Sequence, residues 1–404
     1  FAHGAARAAA ARHLPPGAHR AAADALLRLD GDRRLIAECL VEAGAHVQAL
    51  PHVEAAIVEE FDRGDVRCAD LLDLLERVLH EVDDPDASCR LHLYRSDYAV
   101  LQGRLEEALV HAERGVQQSK RPRPQGAPEP LIRGQAELAL SRALIRAWEL
   151  DRAVRSARRA IQGFEAVGSE RHVGYARTVL GVALLNRGRA DEALTELLEA
   201  AALCERHDPE YLPPMLHLVN AYAASGDVDA QETWAQRAEA VASATNQKRA
   251  IATCVNKLGE VARARGQRAE ARERFEESVR RYRAVEDAGF LYPLLNLAML
   301  DVDARAHVDA MARAERLRHE LKRKPNPFIA AAADGIELVA LAGVGGIAGV
   351  PRVLQRMAAF VNGSRAADAR LEQLLSMGAQ LLEQGGHAAL AHRCEALART
   401  QRTR

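Results

Sequence analysis

The residues of this sequence that come nearest to a nucleotide-binding loop are the glycines of segment 343–349, which reads Gly-Val-Gly-Gly-Ile-Ala-Gly. Such loops bind phosphate through backbone amides when a strand precedes them and a helix follows. Here no Gly-Lys-Ser/Thr follows, and the preceding residues favour a helix, so the segment is predicted to connect two helices. No kinase catalytic loop or magnesium-binding triplet occurs either. We therefore predict that this chain is not an enzyme and has no catalytic residue.

Histidine and cysteine occur close together at two places. Cys204 and His207 share one face of a predicted helix, and His387, His392 and Cys394 cluster near the end. Two or three ligands without a CxxC or HxxxH spacing make a weak metal site. We predict no metal and no cofactor. Because the six cysteines form no CxxC pair, we expect them to be buried thiols in a reducing cytosol.

The composition favours helices and gives no global charge signal. Of the 404 residues 48% are hydrophobic, only 4% are aromatic, and the formal net charge is −1. Two basic runs, 120–123 and 313–324, lack the aromatic residues that stack on bases. We expect no nucleic-acid partner and no membrane partner. The most apolar stretch, 328–350, is interrupted by Asp334 and Glu337, so it is predicted to be a core helix.

A Gly-x-x-x-(Glu)-Ala-Leu block recurs every 38 to 45 residues. Its clearest copy runs from Leu180-Gly181 through Gly188 and Ala193 to Ala200, and a second runs from Leu258-Gly259 through Gly266 and Ala271 to Ser278. Gly103–Leu109 and Gly226–Ala230 repeat the pattern. In each block a small residue of a first helix precedes a glycine that ends the helix and an alanine in a second helix.

This pattern resembles the tetratricopeptide repeat (TPR), in which a Leu-Gly pair is followed by Gly, Ala and an aromatic residue. The second-helix positions Ala153, Ala193, Gln231, Ala271 and Ala310 are spaced by 40, 38, 40 and 39 residues, longer than the usual TPR period of about 34. HEAT repeats share the longer period, but the Gly-then-Ala order favours TPR. The resemblance implies an all-α fold, a right-handed TPR-like superhelix of stacked antiparallel helix pairs.

In such an array the first helices line the concave side, where polar side chains are not needed for folding. Their amide and guanidinium groups are able to bind the backbone or termini of a peptide; simple solvation of an open groove is the alternative. The candidate partner-binding residues are Gln135, Arg142, Arg146, Tyr175, Thr178, Asn186, Asn220, Asn256, Glu260, Arg263, Tyr292 and Asn296.

The first 25 residues resemble a junction in bacterial signalling ATPases of the STAND class and in ATPase modules fused to serine/threonine kinases. There a Phe-x-His…Arg-x-Ala helix closes the ATPase region, and a Leu-Pro-x-x-x-Arg-x-x-x-His stretch leads into a TPR array. The matching residues here are Phe1, His3, Arg7 and the stretch from Leu14 through Pro15 to His19. Since the chain starts at Phe1 in a helix-like pattern, we expect it to be the C-terminal part of a longer protein.

These patterns predict four regions. Residues 1–32 form the helical end of an upstream ATPase or winged-helix region, and residues 33–119 form degenerate TPR-like repeats. Residues 128–322 form a regular array with a 38–40-residue period, and residues 328–404 form divergent capping repeats. A break is expected at 83–86, with Asp86 or Ser88 as a helix cap.

The sequence thus predicts a non-catalytic interaction or sensory scaffold, the TPR arm of a cytoplasmic signal-transduction protein. Its partner would be a protein or peptide in the superhelical groove, or the ATPase or kinase domain of its own parent protein. A small-molecule inducer-sensing domain of a STAND-type transcriptional regulator is the alternative. A narrow polar lumen would favour a small ligand, an open shallow groove a peptide. A third reading, a structural spacer, predicts an inner face without organised charge.

Overall fold

The computed structural model describes residues 16–62, 68–121, 130–363 and 368–402. These ranges contain 20 α-helices and no β-strand. The fold is therefore all-α, as the repeats predict. The chain divides into two compact units, one up to Ala183 and one from Leu184 onward. Within each unit consecutive helices pack as pairs, an odd-numbered first helix followed by an even-numbered second helix.

The first unit contains the helices up to α9, whose last residues belong to the second unit. Their bounds are α1 Pro16–Arg28, α2 Arg33–Glu42, α3 His46–Asp62, α4 Ala69–Glu81, α5 Pro85–Leu101, α6 Leu105–Gln118, α7 Pro130–Arg146, α8 Leu150–Glu165 and α9 Glu170–Asn186. Phe1, His3, Arg7 and Leu14 of the junction resemblance lie outside the described residues.

The second unit contains the remaining eleven helices and two short 3₁₀ helices, Ala288–Phe290 and Ile347–Gly349. The α-helices are α10 Ala190–His207, α11 Pro213–Ser225, α12 Val228–Ala244, α13 Lys248–Ala264, α14 Arg268–Ala284, α15 Leu291–Asp303, α16 His307–Leu321, α17 Pro327–Val344, α18 Val350–Gly363, α19 Ala369–Gln384 and α20 Ala388–Arg402.

The break before α5 shows how local sequence starts a helix. Asp84 is the N-cap, and its carboxylate accepts hydrogen bonds from the backbone N–H groups of Asp86 and Ala87, both at 2.9 Å. Pro85 takes the first helical position, where its missing N–H has no cost. The cap is therefore two residues earlier than the expected Asp86, because the side chain that reaches the free amides belongs to Asp84.

The turns between first and second helices are built on a left-handed residue. Gly103, Gly188, Gly226 and Gly266 have φ between 73° and 80°. Glycine occupies this region without a steric penalty, which is why these positions were recognisable in the sequence. The same turn occurs without glycine at Trp148 and Arg305, with φ of 57° and 55°. Those two turns carry no glycine signal and escaped the sequence pattern.

The alanines of the repeat pattern mark where a second helix crosses its partner closely. Ala153, Ala193, Ala271 and Ala310 are fully buried, and Gln231 in the same register is also buried. The contacting first-helix position lies twelve residues earlier. At two such positions a buried serine donates to the alanine carbonyl, Ser96 Oγ to Ala108 at 2.9 Å and Ser141 Oγ to Ala153 at 2.8 Å. Small residues at both positions let the two backbones approach.

Glycine takes the small position where the facing side chain is large. A Cβ added to Gly259 of α13 would lie 2.6 Å from a ring carbon of the buried Phe275 on α14. Helices α17 and α19 cross in a reciprocal way. Leu374 packs over Gly335, and Leu338 packs over Gly378. These contacts fix which helix faces meet.

Helix α17 is the one helix in the described ranges long and apolar enough to cross a membrane by length and composition alone. It lies in the core between α15, α16, α18 and α19, with buried residues that include Ile329, Ile336 and Leu338. This is the core helix that the interrupted apolar stretch predicts. The glycine-rich segment after it connects α17 to α18. None of the six cysteines forms a disulfide, and five of them are buried.

Replacing Arg305 by glycine should stabilise the second unit. Arg305 is exposed and holds a left-handed turn that costs a non-glycine residue about 1 kcal/mol. We expect the midpoint of chemical denaturation to rise. Gly266→Ala, at a turn of the same type, should lower it by a similar amount. Equal midpoints for both variants and the parent chain would show that turn conformation does not limit stability.

Gly259→Ala should destabilise the α13–α14 pair by about 1–3 kcal/mol, because Phe275 must move to admit the methyl group. Amide hydrogen exchange should show the loss of protection mainly in α13, α14 and the neighbouring helices. Gly363→Ala is the control, since nothing lies within 4 Å of the added carbon there. A uniform loss of protection over all helices would contradict the nearest-neighbour view of the array.

Candidate functional site

The predicted groove residues of the first unit differ in their exposure to solvent and in the partners they already have. Arg142 on α7 and Arg146, one turn later, are exposed, and Gln135 is half-buried. Arg142 Nη2 contacts both carboxylate oxygens of Asp97 on α5, at 3.1 and 2.8 Å. This bond joins two consecutive first helices of the unit. Arg142 therefore already has an acidic partner that any ligand must share or displace.

Two further predicted residues lie on α9. The Tyr175 hydroxyl accepts a hydrogen bond from Arg171 Nε at 2.6 Å, and the guanidinium also lies 5.5 Å from its ring centroid. Thr178 is buried, and its hydroxyl donates to the Gly174 carbonyl of its own helix. The expectation that Thr178 offers a polar group to a partner is corrected, because the hydroxyl is both covered and used within the helix.

In the second unit the first-helix residues form a connected polar cluster. Asn296 Nδ2 on α15 donates to Asn256 Oδ1 at 3.0 Å and to Glu260 Oε1 at 3.1 Å, across to α13. Asn256 Nδ2 donates to Glu260 Oε1 at 2.9 Å, and Lys257 Nζ donates to Oε2 at 2.9 Å. We name Asn256, Lys257, Glu260 and Asn296 the amide–carboxylate cluster. Three of its four members were predicted; Lys257 was not.

The Glu260 carboxylate is the centre of this cluster. Burial by itself raises its pKa, but the charge and hydrogen bond of Lys257, the charge of Arg370 and the Asn296 hydrogen bond lower the pKa overall. The carboxylate is therefore ionised at neutral pH and accepts three hydrogen bonds. Each donor stabilises the charged form, which is the general reason why a half-buried acid stays charged.

Two polar rungs link α13 to α15 at the repeat period. Asn256 and Asn296 are 40 residues apart, and so are Arg263 and Asp303. Arg263 Nε and Nη2 contact the two oxygens of Asp303 at 2.6 and 3.2 Å, in the bidentate geometry that guanidinium and carboxylate favour. Equivalent positions of successive repeats are thus in direct contact. Arg263 is engaged with Asp303 rather than free for a ligand.

The same repeat spacing places His217, which was not predicted from the sequence, on this face. His217 on α11 precedes Lys257 by one repeat, and the Lys257 charge acts on it directly. Burial and Lys257 lower the pKa of His217 to about 4, so the imidazole is neutral at pH 7 and has one donor and one acceptor nitrogen. The sequence signal for His217 and Lys257 is their shared position in successive repeats, since they are 40 residues apart, as Asn256 and Asn296 are.

Arg370 acts on this face from far along the chain. It belongs to α19, three first helices beyond α13, yet its charge lowers the pKa of Glu260. Packed helices lie about 8–10 Å apart, so three steps along a flat layer would separate them by at least about 24 Å. The effect of Arg370 on Glu260 is what a first-helix face that curves between α13 and α19 would produce.

The remaining predicted residues of the second unit lie outside the amide–carboxylate cluster. Tyr292, at the start of α15, is 52% exposed, while Asn186 and Asn220 are half-buried. Asn256 and Asn296 are 4% and 2% exposed, more covered than a direct-contact role predicts. Asn296 Oδ1 has no hydrogen-bond partner. The concave face therefore combines a rigid polar floor with one unused acceptor, and the exposed Tyr292 stands nearby.

Metal-binding geometry is absent from the ranges that the structure describes. No group of three or more His, Cys, Asp or Glu side chains there is placed to hold an ion. Burial raises the pKa of the Cys394 thiol to about 11, which keeps the thiol protonated and unreactive at neutral pH. Cys204 is also buried. The chemistry of the described surface is hydrogen bonding and charge pairing.

Comparisons with known proteins agree with this geometry. The tetratricopeptide repeat family model matches residues 173–207 and 251–288, which cover α10, α14 and most of α9 and α13. No curated protein matches the sequence.

Solved structures share the fold over most of the chain. A Rap protein complexed with competence and sporulation factor aligns with a TM-score of 0.64 and 10% identity, over 87% of this chain and 98% of the Rap protein. The apo form of RapI aligns with a TM-score of 0.59 and 12% identity, over 89% and 97%.

A signal transduction ATPase with numerous domains (STAND) from Pyrococcus horikoshii, which has a tetratricopeptide repeat sensor, is a third similar structure. It aligns with a TM-score of 0.55 and 15% identity, over 95% of this chain and 55% of that one. The fold is a TPR-like α-solenoid.

Glu260→Gln should lower stability at neutral pH by about 1–2 kcal/mol, since Lys257 loses its counter-charge. The folded-state pKa of Glu260 lies below its unfolded value, so its contribution is present above about pH 4.3 and is lost as pH falls through the folded pKa. We expect the difference between the two proteins to shrink on acidification.

Denaturant titrations at pH 7 and near pH 3 measure both quantities. Glu276→Gln on α14 is the matched control, because this glutamate is exposed. A pH-independent difference between Glu260→Gln and the parent chain would contradict the assigned role of the Glu260 charge.

Proposed function

We propose that this chain is a protein-binding or sensory scaffold, the TPR arm of a cytoplasmic signal-transduction protein. The partner is a protein or peptide that contacts the concave first-helix face of the second unit. The amide–carboxylate cluster is the observation that carries the proposal. A solenoid makes its core between helices, so a fixed, charged polar floor on an inner face is not required for folding.

The geometry supports recognition of an extended polypeptide. The neutral His217 offers both a donor and an acceptor nitrogen, and Tyr292 presents an exposed amphipathic ring. Peptide backbone supplies both N–H and C=O groups at regular spacing, which these side chains complement. The rungs Asn256–Asn296 and Arg263–Asp303 keep the floor rigid, so binding costs little side-chain entropy.

Structural neighbours support the sensory role. The Rap protein of the comparison is complexed with competence and sporulation factor, and the Pyrococcus horikoshii protein carries its tetratricopeptide repeats as a sensor. This chain spans 55% of the latter. We infer that the parent protein places an ATPase or serine/threonine kinase domain before this array and that the array controls it. This inference agrees with the resemblance of the first 25 residues to the end of a signalling ATPase.

Binding variants on the concave face test the proposal. Tyr292→Ala and Arg370→Glu should each weaken the complex with a partner purified from native lysate by about tenfold or more, the effect of losing a charged hydrogen bond or an aromatic anchor. Titration calorimetry measures the affinity, and melting curves check the fold. Arg280→Glu, exposed on the second helix α14, is the control and should leave affinity unchanged.

The outcome separates the readings. Loss of binding in Arg280→Glu with none in the other two variants would place the partner surface on the second helices and overturn the proposal. If the concave-face variants lose affinity for a small molecule rather than for a polypeptide, the chain is an inducer sensor. In that case the parent is the STAND-type regulator of the alternative reading.

A further inference from the structure

A second surface with the features of a partner site lies between the second helices α10 and α12, both of which pack against α11. Leu194 of α10, Tyr222 of α11 and Trp234 of α12 are half-buried, and all three contact one hydrophobic cluster that contains the buried Leu197 and Leu218. We name this region the α10–α12 groove. It shares no residue with the amide–carboxylate cluster.

The apolar surface of the groove continues along α10 toward solvent. Leu198 lies one helical turn after Leu194 and is 40% exposed. Residues four apart share a helix face, so the two leucines form one stripe. Tryptophan and tyrosine are the residue types that contribute most of the binding energy at many protein interfaces. An exposed leucine beside the half-buried Trp234 and Tyr222 therefore suits contact with an apolar side chain of a partner.

The α10 wall of the groove is acidic. This helix contains five acidic residues and one arginine. Asp191 and Glu205 lie seven residues before and after Leu198, a spacing that returns to the same helix face, and both are exposed. At 1.5 Å per residue their backbone positions are about 21 Å apart along α10, with the leucines between them. The stripe therefore has a carboxylate at each end.

One ion pair shows which group these carboxylates accept. Arg237 Nη2 of α12 donates to Glu205 Oε1 of α10 at 2.5 Å, and the same guanidinium lies 4.9 Å from the centroid of the Trp234 ring. The side chains of Arg237 and Glu205 are 41% and 57% exposed, so the pair adds little to stability. Asp191, at the other end of the stripe, makes no ion pair within the described part of the chain. Its charge is available to a cation of a partner.

The spacing of these groups matches an α-helix. A helix repeats the side chains of one face every three to four residues, so a partner helix along α10 brings its own heptad positions against Asp191, Leu198 and Glu205. Its apolar face meets the two leucines and Trp234, and its flanking residues meet the carboxylates. Charge complementarity requires those flanking residues to be basic.

We propose that the α10–α12 groove binds a basic amphipathic helix of a partner protein, with leucine-type side chains against Leu198 and Trp234 and a lysine or arginine at Asp191. The helix lies along α10, because the apolar stripe and its two acids follow the axis of that helix. The site is independent of the first-helix face, so the chain holds two partners at once.

A synthetic helical peptide of about 15 residues tests the site in the intact chain. The peptide has leucines at heptad spacing and lysines beside them, and fluorescence anisotropy of a label on it measures the affinity. We expect saturable binding, about tenfold weaker in Leu198→Ala through loss of the apolar contact. Asp191→Asn should weaken binding about threefold or more at low salt and less at high salt, since it removes an exposed charge.

Helix α16 supplies matched controls. Val308 is an exposed apolar residue of a second helix, and Asp309 is an exposed acid in the first turn, as Asp191 is in α10. Val308→Ala and Asp309→Asn should bind the peptide as the parent chain does. Melting curves of all four variants check that the fold is intact.

Tryptophan fluorescence locates the bound peptide. In a Trp148→Phe background Trp234 is the only tryptophan of the chain. Bound peptide should shift its emission to the blue and protect it from quenching by acrylamide, because the peptide covers the ring.

A second peptide, with glutamate in place of every lysine, should not bind. Equal affinity for the two peptides, an equal loss of affinity in the α16 controls, or unchanged Trp234 emission at saturation would overturn the proposal. So would absence of saturation with the lysine peptide at millimolar concentration. None of these results bears on partner binding by Tyr292 and Arg370, which is measured separately.

Discussion

Close approach of two helix backbones at a small residue is the contact on which the structure depends. A helix pair of this size exposes apolar surface on both sides and cannot be stable alone. Ala153, Ala193, Ala271 and Ala310 bring each second helix against its partner, and Gly259 goes further by receiving the Phe275 ring. Because the core is assembled from such contacts, the array needs few aromatic residues, and its length has no natural limit.

Because the core forms between the helices, the side chains on both exposed sides of the helix layer are not needed for packing and can have other functions. The first-helix face of the second unit has an ionised glutamate, two amides and bidentate Arg263–Asp303 pairing. On the second-helix side, Arg318 of α16 and Arg356 of α18 both pair with Asp334 of α17. Polar residues at the repeat period are easy to place in a solenoid, because each one sits at an equivalent position and meets its counterpart one repeat later.

The sequence predicted the features that depend on local chemistry. Gly188 and Gly266 mark left-handed turns, and the alanines mark crossings, because each position tolerates few residue types. Trp148 and Arg305 adopt the same turn and were missed, since the fold imposes a conformation their type does not favour. At the site, the position in the repeat predicted that Asn256, Glu260 and Asn296 lie on the first-helix face. It did not show that the amides would be buried, nor that the charge of Arg370, far along the chain, would act on Glu260, because both depend on how the helices pack.

The rungs between α13 and α15 give the second unit a mechanical asymmetry. Hydrogen bonds and bidentate ion pairs are directional and lose strength over a fraction of an ångström, so the first-helix edge of the stack resists stretching. Contacts between small apolar residues have no such directionality. Elastic deformation of the unit should therefore be a bending motion hinged along the Asn256–Asn296 and Arg263–Asp303 line, with most of the displacement at the second helices. A small local change of curvature along this line would therefore produce a larger displacement of the helices at the far end of the stack.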